Sequence, residues 1–298
     1  MTVPPRWFGR ARKLSPRKRA AEVMYDVLYR GAWPARAAWR LGLQGRLEVS
    51  EHRIAVHGWP AGAPPLRVAF ASDFHAGPAT APRLIAAVGD ALAAMRPDLL
   101  LLGGDYVSFH ARHVRALERL LGAIEAPVGK LAVLGNHDLV GDDRYIVERL
   151  AAAGVRTLVN EGVRLAPPYD GVWVCGLDDP AQGTPDAERA LAGADGVRLL
   201  LAHSPDALAT VGRRRFDVGF CGHVHGGQFI LASGRPLVTH KGEWSRRYML
   251  GGLIPTSSPG DGQRTLLVSR GIGCGNFPLR RGADPQVHLC VLGGGGAG

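Results

Sequence analysis

Long apolar runs are missing from this chain of 298 residues: none reaches the roughly 18 residues that a membrane-spanning helix needs. Cysteine is scarce as well. The four present, Cys175, Cys221, Cys274 and Cys290, form no CxxC pair and no dense framework, which excludes a disulfide scaffold. Three of them sit in apolar, strand-like runs (VWVCG, VGFCG, VHLCVL), so buried thiols in a reducing compartment are expected. The N-terminus is basic but has no apolar core and no small-residue cleavage site of an export signal, and the expected location is the cytoplasm. No internal repeat is present.

Net positive charge is also nearly absent from most of the chain. Residues 1–46 carry eleven Arg or Lys against Glu22 and Asp26, a net +9 out of the formal +10. The remainder is close to neutral and offers no basic track for a nucleic acid, so none is expected as a partner. Residues 1–46 read as a basic, amphipathic helical extension over 17–30 and 34–41, in which Val23, Val27, Trp33 and Trp39 interleave with arginines. That pattern suits peripheral contact with an anionic membrane, on its cytoplasmic face, or packing on the rest of the chain.

Residues 47–292 read as one α/β catalytic domain, and 293–298 as a flexible glycine-rich tail. A strand at 47–57 precedes a strand–helix–strand–helix–strand series: LRVAFASDFH, a helix at 80–95 with Thr80 as cap, PDLLLLGGD, a helix at 111–124, and KLAVLGNHD. After a helix at 142–153, strands dominate, near 155–159, 163–166, 172–176, 197–202, 217–221, 228–232, 247–250, 264–269 and 286–292. Short helices interrupt them at 185–192 and 205–211. The expected product is two packed mixed β-sheets with helices outside, and ligand residues at the carboxyl ends of strands.

Five short clusters of metal-ligand residues follow apolar runs: SDFH at 72–75, GGD at 103–105, GNHD at 135–138, AHSPD at 202–206 and GHVH at 222–225. They offer Asp73, His75, Asp105, Asn136, His203, His223 and His225. Two residues apart at a strand end, Asp73 and His75 are expected on one side, and His223 and His225 likewise. Asp105 follows two glycines and has two carboxylate oxygens with which to bridge two cations. Mixed oxygen and imidazole donors favour first-row divalent ions over Mg²⁺ or Ca²⁺. Two such ions roughly 3.5–4 Å apart would hold a bridging hydroxide as nucleophile for a phosphate ester. His137, next to a ligand, is expected to stabilise transition-state charge or protonate the leaving oxygen, with Asp138 orienting it. His110, His113 and Arg270 are candidate substrate contacts, and Arg270 could hold a phosphate oxygen.

These residues, over roughly 66–292, resemble the calcineurin-like metallophosphoesterase superfamily, whose pattern is D-x-H, G-D, G-N-H-[DE], a lone His and G-H-x-H. The resemblance implies a four-layer fold of two β-sheets flanked by helices. It implies one ion on Asp73, His75, Asp105 and His225, and a second on Asp105, Asn136, His203 and His223. It implies Mn²⁺, with Fe or Zn²⁺ as other candidates. AHSPD, GHVHGGQ and SRGIGCGNFPLR resemble a bacterial subgroup that includes UDP-2,3-diacylglucosamine hydrolases of lipid A synthesis. A nucleotide-linked lipid is therefore the expected substrate, and a broad range of soluble phosphate esters is the alternative.

Overall fold

The computed structural model describes residues 23–25, 27–108, 110–237, 239–257 and 263–294. Twelve strands among them form two six-stranded sheets. The first has the order β1 (Glu48–Ala55), β12 (Gln286–Gly293), β2 (Leu66–Ala71), β3 (Leu99–Leu102), β4 (Gly129–Ala132), β5 (Arg156–Thr157). The second has the order β10 (Gly252–Ser257), β11 (Gln263–Val268), β9 (Val218–Cys221), β8 (Val197–Leu201), β7 (Val172–Gly176), β6 (Glu161–Arg164). Strands β2 to β5 run parallel, as do β7, β8, β9 and β11. All four residues of β3 are buried leucines, as expected of a parallel strand covered on both faces.

The inner faces of the sheets share one core, in which Phe70 and Phe220 meet with ring centroids 5.4 Å apart. Helices cover the outer faces. On the first sheet lie α1 (Trp33–Arg40), α2 (Pro82–Ala94), α3 (Val114–Gly122), α4 (Asn136–Val140) and α5 (Asp143–Ala152), whose apolar stripes bury Leu84, Val88, Leu92, Leu117, Leu121 and Ile146. On the second lie α6 (Ala187–Ala190) and α7 (Leu208–Val211), with α8 (Glu243–Arg247) beside them. This is the expected four-layer α/β arrangement.

The N-terminal extension is attached to this body. Ala35 of α1 is fully buried in the first sheet's outer core. The buried Gln44 side chain donates to the Ala79 and Pro278 carbonyls and accepts from Ala81 N. Residues 23–25 and 27–28 are helical, and the expected helix over 17–22 lies outside the described residues. Val23, Met24, Val27, Leu28, Trp33 and Leu41 remain exposed. All four cysteines are free and buried.

Three local expectations are corrected. Thr80 does not cap α2; its hydroxyl accepts from Cys274 N and so ties two loops together. Residues 228–232 form only isolated bridges, because Gly226, Gly227 and Gln228 all turn through positive φ and lead the segment away from the sheet. Residues 247–250 are not a strand: Asp206 accepts from Trp244 N and Ser245 N and initiates α8, and Gly251 then turns the chain into β10.

Candidate metal centre

Every candidate ligand lies just beyond the carboxyl end of a parallel strand. Asp73 and His75 follow β2, Asp105 follows β3, Asn136 follows β4, His203 follows β8, and His223 and His225 follow β9. The two sheets thus deliver their ligands to one edge of the sandwich.

The local geometry differs from a simple pleat. Asp73, His75, Asp105, His223 and His225 all have positive φ, between 42° and 71°. None of these side chains favours that conformation, and each such residue costs about 1–3 kcal/mol. The side chains within each pair converge because the backbone turns left-handed at both residues, not because a strand alternates. Neighbouring backbone fits tightly around these turns. Gly104, at φ 86°, lies where a Cβ would stand 2.5 Å from Gly135 N, so only glycine fits between the two ligand loops.

The donor atoms crowd together. Asp105 Oδ2 lies 3.5 Å from His75 Nε2 and 3.4 Å from His203 Nε2, between the two sets of ligands. His75 Nε2 and His225 Nε2 are 3.0 Å apart, and His225 Nε2 is 3.6 Å from Asp73 Oδ1. On the other side, His203 Nε2 is 3.2 Å from Asn136 Oδ1 and 3.1 Å from His223 Nδ1. Asp73, His75 and His225 form one compact group, and Asp105, His203 and His223 another, with donor atoms within 4.8 Å of one another. Two donors bound at about 2.1 Å to one ion lie roughly 3 Å apart, so these spacings fit a pair of divalent ions sharing Asp105.

Hydrogen bonds fix the rings. The carbonyl of Gly103 can only accept, so His203 Nδ1 donates to it (2.8 Å) and presents Nε2 to the centre. Asp73 accepts from Ser72 Oγ (2.6 Å) and from His223 N (3.1 Å), which joins the first and last ligand loops.

Burial governs the protonation of the cluster. It lowers His75 to about 3 and pushes His223 and His225 well below the ordinary imidazole value, leaving neutral donors. It raises Asp73 to about 6, with the Asp105 carboxylate adding to the rise and His203 opposing it. Burial also works against charge on His203 and Asp105, but their mutual attraction wins. His203 is held well above its ordinary value, and Asp105 well below.

His137 follows Asn136 on α4 and stands at the same edge, its ring 4.9 Å from that of His75. Its Nδ1 donates to the Ser108 carbonyl at 2.7 Å, and its backbone N–H donates to Asp105 Oδ1 at 2.9 Å. The expected orienting role of Asp138 is corrected. That carboxylate is fully buried and accepts from Asp105 N (2.8 Å), Tyr106 N (2.9 Å) and Gly135 N (2.9 Å). It clamps two ligand loops by their backbones, while Ser108 orients His137. Arg270 pairs through Nη2 with Glu48 of β1. His110 and His113 stand side by side before α3, ring centroids 6.4 Å apart, and His113 lines a groove beside the cluster.

Two residues at the centre escaped the sequence reading. Arg280 is buried; its Nη2 donates to His225 Nδ1 at 3.1 Å and to the Gly273 and Arg270 carbonyls. His240 packs its ring 4.3 Å from that of His223. Neither belongs to a spaced cluster. Arg280 lies at the end of the run SRGIGCGNFPLR.

The chain is similar to known proteins. Residues 66–227 match the family described as Calcineurin-like phosphoesterase. The chain is 28% identical to "Uncharacterized metallophosphoesterase YkuE" of Bacillus subtilis, over 94% of this chain and 98% of that one. It is 31% identical to "Phosphodiesterase YaeI" of Escherichia coli, over 83% of this chain and 89% of that one. Among solved structures, the 5'-nucleotidase precursor of Thermus thermophilus superposes with a TM-score of 0.45 at 16% identity, over 70% of this chain. The chain spans about half, 49%, of the length of that structure. By its sequence match, the chain belongs to the calcineurin-like phosphoesterase family, the metallophosphoesterases, and is a metal-dependent hydrolase of phosphate esters.

Proposed function

We propose that this protein is a dimetal phosphodiesterase, with Mn²⁺ as its working ion and an amphipathic, lipid-linked phosphodiester or pyrophosphate as its substrate. The observation that carries the dimetal reading is the position of Asp105, whose Oδ2 lies 3.5 and 3.4 Å from imidazoles of the two ligand sets. Asp73, His75, Asp105 and His225 would hold one ion, and Asp105, Asn136, His203 and His223 the other. Ions bound there supply Lewis acidity toward a phosphoryl oxygen and lower the pKa of a water.

The chain's own residues do the rest. The neutral imidazoles leave net positive charge to develop at the centre, which draws in an anionic ester. Nδ1 of His137 donates to the Ser108 carbonyl and fixes the ring, and its Nε2 would hydrogen-bond a phosphoryl oxygen or protonate the leaving oxygen. Asp138 holds the loops of Asp105 and Asn136 at fixed separation, so the ligands need little rearrangement.

The lipid part of the reading is supported by the N-terminal extension. Its outward residues, including Val27 (69% exposed), Trp33 (62%) and Leu41 (72%), accompany Arg30, Arg36 and Arg40. Such a face suits peripheral contact with an anionic membrane. No helix among the described residues is long and apolar enough to cross one. The specific candidate is UDP-2,3-diacylglucosamine, cleaved to UMP and 2,3-diacylglucosamine 1-phosphate. The test is hydrolysis of that compound by Mn²⁺-loaded protein in detergent micelles, beside bis-p-nitrophenyl phosphate and an Asn136→Ala control. Release of UMP, lost in the control, supports the lipid reading. Turnover of the artificial diester alone keeps the phosphodiesterase and moves the substrate to soluble esters. Turnover of neither overturns the proposal.

A further inference from the structure

A groove of about 980 Å³ opens beside the metal centre, between α2 and α3, with residues 27–36 of the N-terminal extension as its roof. One end begins at Ala76, Gly77 and His113. Ala76 directly follows the ligand His75. A Cβ on Gly77 would stand 3.8 Å from His113 Cδ2 and 3.8 Å from Ser108 Cβ, and Ser108 is the residue that orients His137. The groove therefore starts one residue beyond the candidate ligand His75, beside the backbone of that ligand loop.

From there it runs along the two helices to Ala93 and Ile124. Pro82 to Ala93 spans about 16 Å at the rise of an α-helix, the length of a medium acyl chain. The walls are small or apolar: Ala86, Gly89, Ala116, Leu120 and Ala123 face one another where bulkier helix residues would close the gap. Arg30, Arg36, Arg112 and Arg119 also line it, against one acid, Asp90. A largely apolar trough with net positive charge in its lining and a ligand loop beside one end matches an amphiphile whose anionic head is next to its tail.

We propose that this groove binds an apolar tail of the substrate, so that α2, α3 and the N-terminal extension select a phosphodiester or pyrophosphate carrying a medium or long alkyl or acyl chain. The inference rests on the phosphodiesterase reading and deepens it. The roof is the segment that also carries exposed Leu28 and Trp33, which do not line the groove, so the same element that would touch a membrane also closes over the tail.

Two readouts on the full chain test the proposal. The first compares p-nitrophenyl dodecyl phosphate with p-nitrophenyl methyl phosphate, without detergent and below micelle formation. Wild type is expected to show a kcat/KM at least about tenfold higher for the dodecyl ester, carried by KM, because the buried methylenes contribute to binding. Ala86→Trp and Ala116→Trp, at exposed positions in the groove wall, should erase that preference and leave methyl-ester turnover unchanged. The second readout needs no metal: saturable one-to-one binding of dansyl-undecanoic acid, lost in both variants. Equal kcat/KM for the two esters in wild type, or a preference that survives both variants, overturns the proposal. If neither ester is cleaved, the phosphodiesterase reading fails and the probe decides alone. Binding lost in both variants then upholds the groove. Binding absent from wild type, as when residues 1–22 or a second copy of the chain fill it, or unchanged by the variants, overturns it.

Discussion

Asp138→Ala separates a structural role from a catalytic one. In wild type the carboxylate accepts three buried backbone N–H groups at 2.8–2.9 Å, from Asp105, Tyr106 and Gly135. Alanine leaves those donors without a partner, and each unsatisfied buried donor costs about 1–3 kcal/mol. Water entering the vacated space recovers part of this, and a net loss of about 4 kcal/mol is expected. In a chain of this size about 1 kcal/mol moves the melting temperature by roughly 2 °C, so the midpoint should fall by about 8 °C. The assay is calorimetry on chelator-treated protein, which removes any contribution from lost metal binding. Asp138→Asn, which keeps one acceptor oxygen, should fall about half as far. A melting temperature within about 2 °C of wild type for Asp138→Ala, with a large loss of kcat, would refute the clamp. It would return Asp138 to the role of partner to His137.

Three further outcomes follow from the site. His137→Gln should lower kcat by about 10²–10⁴ while metal content stays at the wild-type value, measured by steady-state kinetics beside metal analysis. Arg280→Met should destabilise chelator-treated protein by about 3–5 kcal/mol, because the Gly273, Ala283 and Arg270 carbonyls lose their buried donor, and Arg280→Lys should restore part of it; calorimetry reads both. Metal binding should release protons at neutral pH. Without an ion, the Asp105 carboxylate holds His203 well above its ordinary value and therefore protonated, whereas a bound imidazole must be neutral. Affinity should thus climb as pH rises toward the His203 value and level off above it. Calorimetric titration in buffers of different ionisation enthalpy counts the protons, and a count of zero at pH 7 contradicts the His203–Asp105 pairing.

The cluster of candidate ligands and the layer order were legible in the sequence, and for one reason. Parallel strands buried on both faces read as unbroken apolar runs, so LLLL at 99–102 and VRLLL at 197–201 announce themselves, and the polar residue after each marks the carboxyl end. The conformation of the ligands was not legible. A DxH spacing on a strand and a DxH spacing on a left-handed turn are the same letters, and the distant glycines packed against this loop, Gly271 against Asp73 and Gly273 against the Phe74 carbonyl, do not show in that spacing. Asp138 was misread because its neighbour in sequence is His137, whereas its hydrogen-bond partners Asp105 and Tyr106 are more than thirty positions away. Arg280 and His240 were missed on the same grounds: each acts on a ligand of β9 from a distant loop, and no local spacing reports such a contact. The segment at 228–232 was misassigned because an apolar run looks like a strand unless the preceding glycines are weighed.

The most direct test of the dimetal centre is metal analysis of the wild type and of Asp105→Ala, each saturated with Mn²⁺ and freed of excess, with turnover of bis-p-nitrophenyl phosphate measured on the same samples. Because the Asp105 carboxylate stands between both ligand sets, wild type should retain two ions per chain, and the variant should retain fewer than two and lose turnover. A variant that keeps two ions and full turnover, or a wild type fully active with a single ion, would contradict the account.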